Sequence, residues 1–214
     1  MEDFILGAKH ITDLNGIDHI LFLVALAASF DLSKLGRMTL LASAFTIGHC
    51  ITLFLAGLDL VRASSAWIEF LIPLTIIFMA ISAILGTSLV SASPSPSPST
   101  TRTSRTSRTS RSSTSLPFRF RSLTYIITII FGLIHGLGFS SFYRIAVERG
   151  SGIVLPLLKF NLGVEFGQII ILLITLSIFS LARAFGASQR SQQLVVGGMT
   201  LGLAAMMAFQ SHPF

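Results

Sequence analysis

The sequence predicts an all-α fold: a polytopic helical membrane protein with about six transmembrane helices. Its composition gives the first indication, because 52% of the 214 residues are hydrophobic, 11% are charged and the mean hydropathy is +0.79. Several apolar runs approach the roughly 20 residues that an α-helix needs to cross a bilayer. The short alternating segments typical of an outer-membrane barrel are absent from the sequence. These observations exclude an ordinary soluble domain.

Six apolar stretches account for the predicted spans. The first, Ile17–Phe30, is short for a crossing, so we expect it to begin earlier or to tilt little. Three glycines in the last stretch, Gly197, Gly198 and Gly202, suit close packing against another helix. In chain order the stretches are Ile17–Phe30, Met38–Val61, Ala66–Val90, Leu123–Tyr143, Ile153–Ala182 and Gln193–Gln210.

A low-complexity segment separates the third predicted span from the fourth. Residues 91–117 consist of a Ser-Pro repeat followed by a Thr-Ser-Arg repeat, with almost no apolar side chains. Such a segment buries too little surface to fold. The sequence therefore predicts a first three-helix half of the membrane domain over residues 1–90, a disordered cytoplasmic linker over 91–117 and a second three-helix half over 118–214.

The basic residues predict the orientation in the membrane. With six spans, the odd-numbered connections contain ten of the fifteen Lys and Arg residues, and the tails and even-numbered connections contain four. This bias puts the linker in the cytoplasm and both termini outside, in a plasma membrane or a bacterial inner membrane. The net charge of +6 is not a nucleic-acid signal, because the basic residues lie in the connections between apolar runs.

Ionisable and amide side chains inside the spans are the candidate functional residues. A charged side chain at membrane depth costs about 2.5 kcal/mol or more, so it implies a partner. Glu165 lies near the middle of the fifth span, and Asn161 and Gln168 share its helical face. We expect one site in the outer or central layer of the membrane, built by five helices from Asp18, His19, His49, Glu69, His135, Asn161 and Glu165.

The residue types in this layer favour a metal ion. Neutral imidazole and carboxylate groups are ligands for nickel, cobalt, zinc and iron. His10, just before the first span, is placed to receive an ion at the outer face. The predicted ligands are His10, Asp18, His19, His49, His135 and Glu165, with Glu69, Asn161 and Gln168 in supporting positions. Taken singly, several of these side chains equally fit a structural hydrogen bond between helices.

Five blocks of the sequence, in order, resemble the HupE/UreJ family of small membrane proteins. They cover nearly all of the transmembrane chain except the linker and the last span. The linker is a departure from the family pattern, and Cys50 stands at a position where we expect Ser. The blocks are HITDLNGIDHILFL (His10–Leu23), FTIGHCITL (Phe45–Leu53), IEFLIPLTI (Ile68–Ile76), FGLIHGLGF (Phe131–Phe139) and FNLGVEFGQ (Phe160–Gln168).

The resemblance implies a function. The family is associated with hydrogenase and urease operons and is regarded as a group of secondary permeases for nickel, or for nickel and cobalt. Carried over by position, the family's site residues match His10, Asp18, His19, His49, His135, Asn161 and Glu165. The sequence therefore predicts a permease rather than an enzyme, with a divalent nickel, cobalt or zinc ion as its substrate or ligand.

Two other functions fit the same residues. One is an intramembrane zinc-dependent hydrolase, with histidines and a carboxylate holding the ion and Glu165 acting as general base. The other is a scaffold whose polar residues only join helices. The chain has no GxxxxGK[ST] motif, which argues against a nucleotide cofactor. The expected partners are membrane lipids and the metal ion, not nucleic acid, and a homo-oligomer or an accessory subunit is an open alternative.

Overall fold

In a computed structural model of the chain, the described residues form seven α-helices. The structure describes residues 1–14, 16–86, 118–147 and 152–213, with side chains over 123–140 in the third of these ranges. A 3₁₀ turn, Leu32–Lys34, leads into the third helix. The helices are α1 (Glu2–Thr12), α2 (Asp18–Ala27), α3 (Leu35–Gly57), α4 (Ser65–Leu85), α5 (Phe118–Val147), α6 (Val154–Ala184) and α7 (Gln189–Gln210).

The structure confirms the all-α membrane fold. Helices α3 to α7 each contain a stretch long and apolar enough to cross a membrane, and they correspond to the second to sixth predicted spans. The first predicted span corresponds to α2, which has only 10 residues. Large apolar side chains such as Leu162, Phe166, Ile174 and Ile178 are exposed on the outside of α6. A continuous apolar exterior of this kind fits contact with lipid tails.

The chain before α3 forms two short helices rather than one long one. α1 packs along the first part of α6, where Gly7 meets the backbone of Phe160. α2 lies further along α6, because Arg183 near the end of α6 donates a hydrogen bond to the carbonyl of Phe30. The two helices of 11 and 10 residues therefore follow one another along α6, with the break at residues 13–17.

Glycines bring α3 and α5 into backbone contact. A Cβ atom at Gly132 would lie 2.0 Å from the carbonyl oxygen of Phe45, and one at Gly48 would lie 2.2 Å from the backbone of α5. Only a residue without a side chain permits so close an approach. His49 follows Gly48 directly, and His135 lies one turn after Gly132. The same contact therefore places both histidines.

The contact between α1 and α6 is built in the same way. A Cβ atom at Gly7 would lie 2.0 Å from the carbonyl oxygen of Phe160, and one at Gly163 would lie 2.0 Å from that of Phe4. His10 follows Gly7 by about one helical turn. His135 follows Gly132 on α5 at the same spacing. Both of these helix pairs thus carry a histidine beside a close glycine contact.

The N-terminal and C-terminal parts of the chain interlock. α7 approaches α4 at Gly197, where a Cβ atom would lie 3.1 Å from the carbonyl oxygen of Ala80. The pairs α1–α6, α3–α5 and α4–α7 each join one helix from before residues 87–117 to one from after them. The described helices therefore pack as one bundle. The predicted linker, 91–117, lies outside the described residues.

Side chains from α7 fix the end of α2. The last carbonyl groups of a helix have no partner within that helix. Gln192 Nε2 donates to the carbonyl oxygen of Ala28 at 2.9 Å, and Gln189 Nε2 donates to that of Ser29 at 2.9 Å. These bonds provide partners for backbone carbonyl groups at the end of a short helix.

Candidate metal site

Four histidines from four helices meet inside the bundle. The ring centroid of His19, at the start of α2, lies 4.8 Å from that of His10, 6.1 Å from that of His49 and 5.0 Å from that of His135. The rings of His10 and His49 are 5.6 Å apart. We call these four residues the histidine cluster. The sequence predicted all four as ligands, and the structure brings them together.

His19 is buried inside the bundle. The sequence predicted that the first span begins near Ile17, which would put His19 close to the outer surface. α1 precedes this segment, and α2 begins beside the middle of α3 and α5. His19 is consequently buried, with 5% of its surface exposed. His19 therefore lies in the same cluster as His10, His49 and His135.

Asp18 orients the ring of His19. Its Oδ1 atom lies 3.1 Å from His19 Nδ1. A carboxylate accepts the Nδ1 hydrogen of the ring, which leaves the lone pair on Nε2. His19 Nε2 has no hydrogen-bond partner among the residues that the structure describes. The acidic neighbour thus directs the buried lone pair of His19 Nε2.

Buried ring nitrogens without a partner are the main chemical feature of the cluster. Within the described part of the chain, five such atoms have no hydrogen-bond partner: His10 Nε2, His19 Nε2, both nitrogens of His49, and His135 Nδ1. A buried polar atom left unpaired costs about 1–3 kcal/mol. The neutral imidazole ring offers one lone pair, which binds metal ions well. The cluster therefore concentrates donor atoms that the protein itself does not use.

The donor atoms lie close enough to share an ion. One ligand atom from each of His10, His19 and His49 lies within 4.8 Å of the others, and the same holds for Asp18, His19 and His135. His19 belongs to both groups. The site is therefore a pair of overlapping three-ligand groups joined at one histidine.

Phenylalanine rings surround the cluster. The ring of Phe139 lies 4.2 Å from that of His10, and the ring of Phe45 lies 5.0 Å from that of His135. Phe160 packs against His10 at 5.7 Å. An apolar surrounding of this kind limits water access and strengthens the interaction between an ion and its ligands.

Two adjoining cavities reach the cluster. The smaller, of about 200 Å³, is lined by His10, His19 and His135 and by the acidic residues Asp13, Asp18 and Glu69. The larger, of about 560 Å³, shares His10, Asp13 and Phe139 with it. Carboxylates along an apolar cleft raise the local concentration of cations. Glu69 is exposed and thus belongs to the cavity wall, which agrees with a supporting position.

Thr75 on α4 is a site residue that sequence reasoning missed. Its Oγ1 atom lies 3.0 Å from His135 Nε2, and the residue is 5% exposed. Threonine is common in transmembrane helices, so the residue type gives little signal. The position gives more, because Thr75 follows Pro73, a proline inside the helix. Such prolines free a backbone carbonyl and mark a local irregularity.

Glu165 lies outside the histidine cluster. Its Oε1 atom accepts a hydrogen bond of 2.5 Å from Ser43 Oγ on α3. Ser43 precedes His49 by six residues, which is about 9 Å along a helix axis. Glu165 belongs to neither group of closely spaced ligand atoms found among the described residues. The structure therefore does not bring this predicted ligand to the histidines.

The other predicted residues of α6 also bond elsewhere. Gln168 is fully buried, and its Oε1 atom accepts a hydrogen bond of 2.9 Å from Thr46 on α3. Asn161 Nδ2 donates to the carbonyl oxygen of Leu157 at 2.8 Å, within α6 itself. The predicted polar face of α6 exists, but its described hydrogen bonds join α6 to α3 or to its own backbone.

The fold and the site define a helical integral membrane protein with a buried cluster of histidines. A model of the HupE / UreJ protein family matches residues 1–93 and 111–212. The chain therefore belongs to the HupE/UreJ family, as its sequence blocks predicted. No curated protein matches the chain, and no solved structure matches it either.

Proposed function

We propose that the protein is a membrane permease for a divalent transition metal ion, with nickel or cobalt as the preferred substrate. One observation carries this proposal: five buried imidazole nitrogens without described partners lie together in the histidine cluster. These nitrogens belong to four rings, and each neutral ring offers one lone pair. An ion bound by those lone pairs removes part of the cost of leaving the nitrogens unpaired. The resemblance to a family of nickel and cobalt permeases favours transport of that ion.

The ligand chemistry supports a borderline transition metal. Imidazole suits nickel, cobalt, zinc, copper and iron, whereas magnesium and calcium prefer oxygen ligands in larger numbers. Most of the closely spaced donors are ring nitrogens, with Asp18 as the one carboxylate among them. The donor set thus favours the nitrogen-binding metals as a class, and the family resemblance supports nickel or cobalt within that class.

Overlapping ligand groups suit movement of an ion through the site. An ion held by His10, His19 and His49 reaches the second group, with Asp18 and His135, without losing His19. Release requires the ligands to weaken, and protonation of an imidazole does this because only the unprotonated ring binds metal. His19 is therefore the central residue of the proposed path.

The break between α1 and α2 fits a transporter. Discontinuous helices in transporters expose polar backbone and side-chain groups at a substrate site inside the membrane. Here the break at residues 13–17 borders the smaller cavity through Asp13 and Gly16, and His10 and His19 lie close to its two ends. The two short helices meet at the site. Two separate helices can move relative to one another more easily than the two halves of one continuous helix can.

The distribution of basic residues supports a cytoplasmic location for the linker. Arg183 contacts Phe30 after α2, and Arg190 donates to the carbonyl oxygen of Ile84 at the end of α4. Arg37 lies over the ring of Phe30. These cations share the end of the bundle next to the predicted cytoplasmic linker, as the positive-inside rule requires. We therefore propose that both termini face outside, in a plasma membrane or a bacterial inner membrane.

A zinc-dependent hydrolase is the second candidate. The observation in its favour is Glu69, which lines the same cavity as His19 and His135 and offers a carboxylate near a bound ion. Glu165, the base that the sequence suggested, contacts Ser43 instead. Metal content separates the two functions. A hydrolase retains stoichiometric zinc through dialysis, whereas a permease binds its substrate reversibly.

Binding and uptake of nickel by the purified protein test the proposed function. We expect reversible binding by titration and uptake into liposomes that contain the protein, with both lost in His135→Ala. His212→Ala is the matched control, because His212 is exposed near the C-terminus, far along the chain from the cluster. Retention of nickel uptake in His135→Ala, or equal losses in both variants, would contradict the proposed site.

A further inference from the structure

The hydroxyl group of Thr75 makes two contacts that together determine the state of a histidine ring. Its Oγ1 atom lies 2.7 Å from the carbonyl oxygen of Ile72 and 3.0 Å from Nε2 of His135. Both Thr75 and His135 are buried, at 5% and 1% exposure. The hydrogen of the hydroxyl group therefore has two candidate acceptors within reach.

Only one assignment of hydrogens satisfies both contacts. A hydroxyl group has a single hydrogen, and a carbonyl oxygen can only accept. The 2.7 Å contact with Ile72 thus uses the Thr75 hydrogen, and the Thr75 oxygen must accept in its contact with the ring. A neutral imidazole has one N–H group, so that hydrogen lies on His135 Nε2 and the lone pair lies on Nδ1.

We propose that Thr75 is a positioning residue, which holds His135 in the Nε2–H tautomer so that Nδ1 is its metal-binding atom. This inference deepens the proposed function and rests on it for the role of the ligand. His135 Nδ1 is buried and has no hydrogen-bond partner among the described residues. It is therefore available to an ion, while Nε2 is occupied by the threonine.

A comparison with His19 supports the proposal. Asp18 binds Nδ1 of His19 and leaves Nε2 open, whereas Thr75 binds Nε2 of His135 and leaves Nδ1 open. The two rings are 5.0 Å apart. Partners that bind the second nitrogen of a metal-ligating histidine fix its tautomer and its orientation. The chain thus binds two neighbouring rings at different nitrogens, Nδ1 of His19 with a carboxylate and Nε2 of His135 with a hydroxyl group.

Nitrogen-15 NMR of the metal-free protein tests the tautomer directly. Two-bond couplings in protein labelled at histidine identify the protonated ring nitrogen, and the signals that disappear in His135→Gln assign the ring. We expect hydrogen on Nε2 of His135 in the wild type and in Thr75→Ser. We expect Thr75→Val, which has nearly the same shape but no hydroxyl group, to lose this preference.

Metal titration tests the consequence for binding. Loss of a residue that orients a ligand typically weakens metal binding 10–100-fold, so we expect Thr75→Val to bind nickel about tenfold more weakly. Thr75→Ser retains the hydroxyl group and should restore wild-type affinity. Thr128→Val is the matched control, since Thr128 is also buried but bonds the carbonyl oxygen of Thr124 within its own helix. Its nickel affinity should equal that of the wild type.

The experiments distinguish failure of the positioning role of Thr75 from failure of the proposed function. Hydrogen on Nδ1 of wild-type His135, or a tautomer unchanged in Thr75→Val, would overturn the positioning role. Equal losses of affinity in Thr75→Ser, Thr75→Val and Thr128→Val would also overturn it, because they would indicate general destabilisation. A wild-type protein that binds neither nickel nor cobalt would instead refute the proposed function, and with it the ligand role of Nδ1.

Discussion

The histidine cluster and the polar contact between α3 and α6 are both buried in the bundle, and they differ in what their polar atoms do. In the α3–α6 contact, the hydroxyl groups of Ser43 and Thr46 bond oxygen atoms of Glu165 and Gln168, and one amide nitrogen, Gln168 Nε2, has no partner among the described residues. In the histidine cluster, five ring nitrogens lack partners among the described residues. Residue type alone does not separate these two regions, because both contain residues that bind metals.

This difference between paired and unpaired polar atoms indicates which region binds a ligand. A hydrogen bond between helices stabilises the fold, and the two atoms that it joins need no further partner. Unpaired donor atoms of one kind, gathered beside a cavity, need a partner from outside the chain. We therefore propose that binding occurs at the histidine cluster and that the contact of Glu165 with Ser43 is structural. Three predictions test this division, in order of decreasing effect.

The largest effect is expected for His19→Ala. His19 belongs to both groups of closely spaced ligand atoms, and its ring contacts those of His10, His49 and His135. Removing a ligand should exceed the 10–100-fold loss typical for an orienting residue, so we expect nickel affinity to fall more than about 100-fold. Isothermal titration measures this loss. A fall smaller than that of Thr75→Val would contradict the central position of His19.

Gly132→Ala should damage the fold and the cluster together. Its Cβ atom would lie 2.0 Å from the carbonyl oxygen of Phe45, so α3 and α5 must separate. Overpacking of this kind costs about 1–3 kcal/mol, and we expect a value at the upper end together with weaker nickel binding. Gly198→Ala is the matched control, because its Cβ atom would meet nothing within 4 Å. Thermal unfolding in detergent compares the two variants, and equal melting temperatures would contradict the close contact.

The smallest effect on binding is expected for Glu165→Gln. The carboxylate lies outside the cluster, so nickel affinity should remain at the wild-type value. Ser43→Ala should also leave affinity unchanged, and it should lower the free energy of unfolding by about 1 kcal/mol through loss of the hydrogen bond. Titration and thermal unfolding separate the two properties. A large loss of affinity in Glu165→Gln would restore Glu165 to the ligand set that the sequence predicted.

The sequence predicted the fold and most of the candidate site for clear physical reasons. Apolar length identifies membrane spans without knowledge of their packing, and histidines inside such spans are rare enough to be informative. The break between α1 and α2 was not predicted, because α1 is amphipathic and only 11 residues long. The predicted depth of His19 did not take that break into account.

Two other features could not be predicted without knowing how the helices pack against one another. Glu165 has the residue type and depth of a ligand, and only the position of Ser43 on the neighbouring helix shows that its oxygen is used elsewhere. Thr75 has no distinctive residue type, and its role depends on a contact with His135 across two helices. Sequence spacing within one helix specifies a shared face, whereas contacts between helices depend on crossing positions set by distant glycines.

X-ray absorption spectroscopy of the nickel-loaded wild-type protein tests the assignment of binding to the histidine cluster most directly. The scattering pattern of coordinated imidazole rings is distinct from that of oxygen ligands. We expect a coordination shell with several imidazole nitrogens, and we expect the same shell in Glu165→Gln. A shell composed of oxygen atoms alone, or one that changes when Glu165 is replaced, would contradict the assignment.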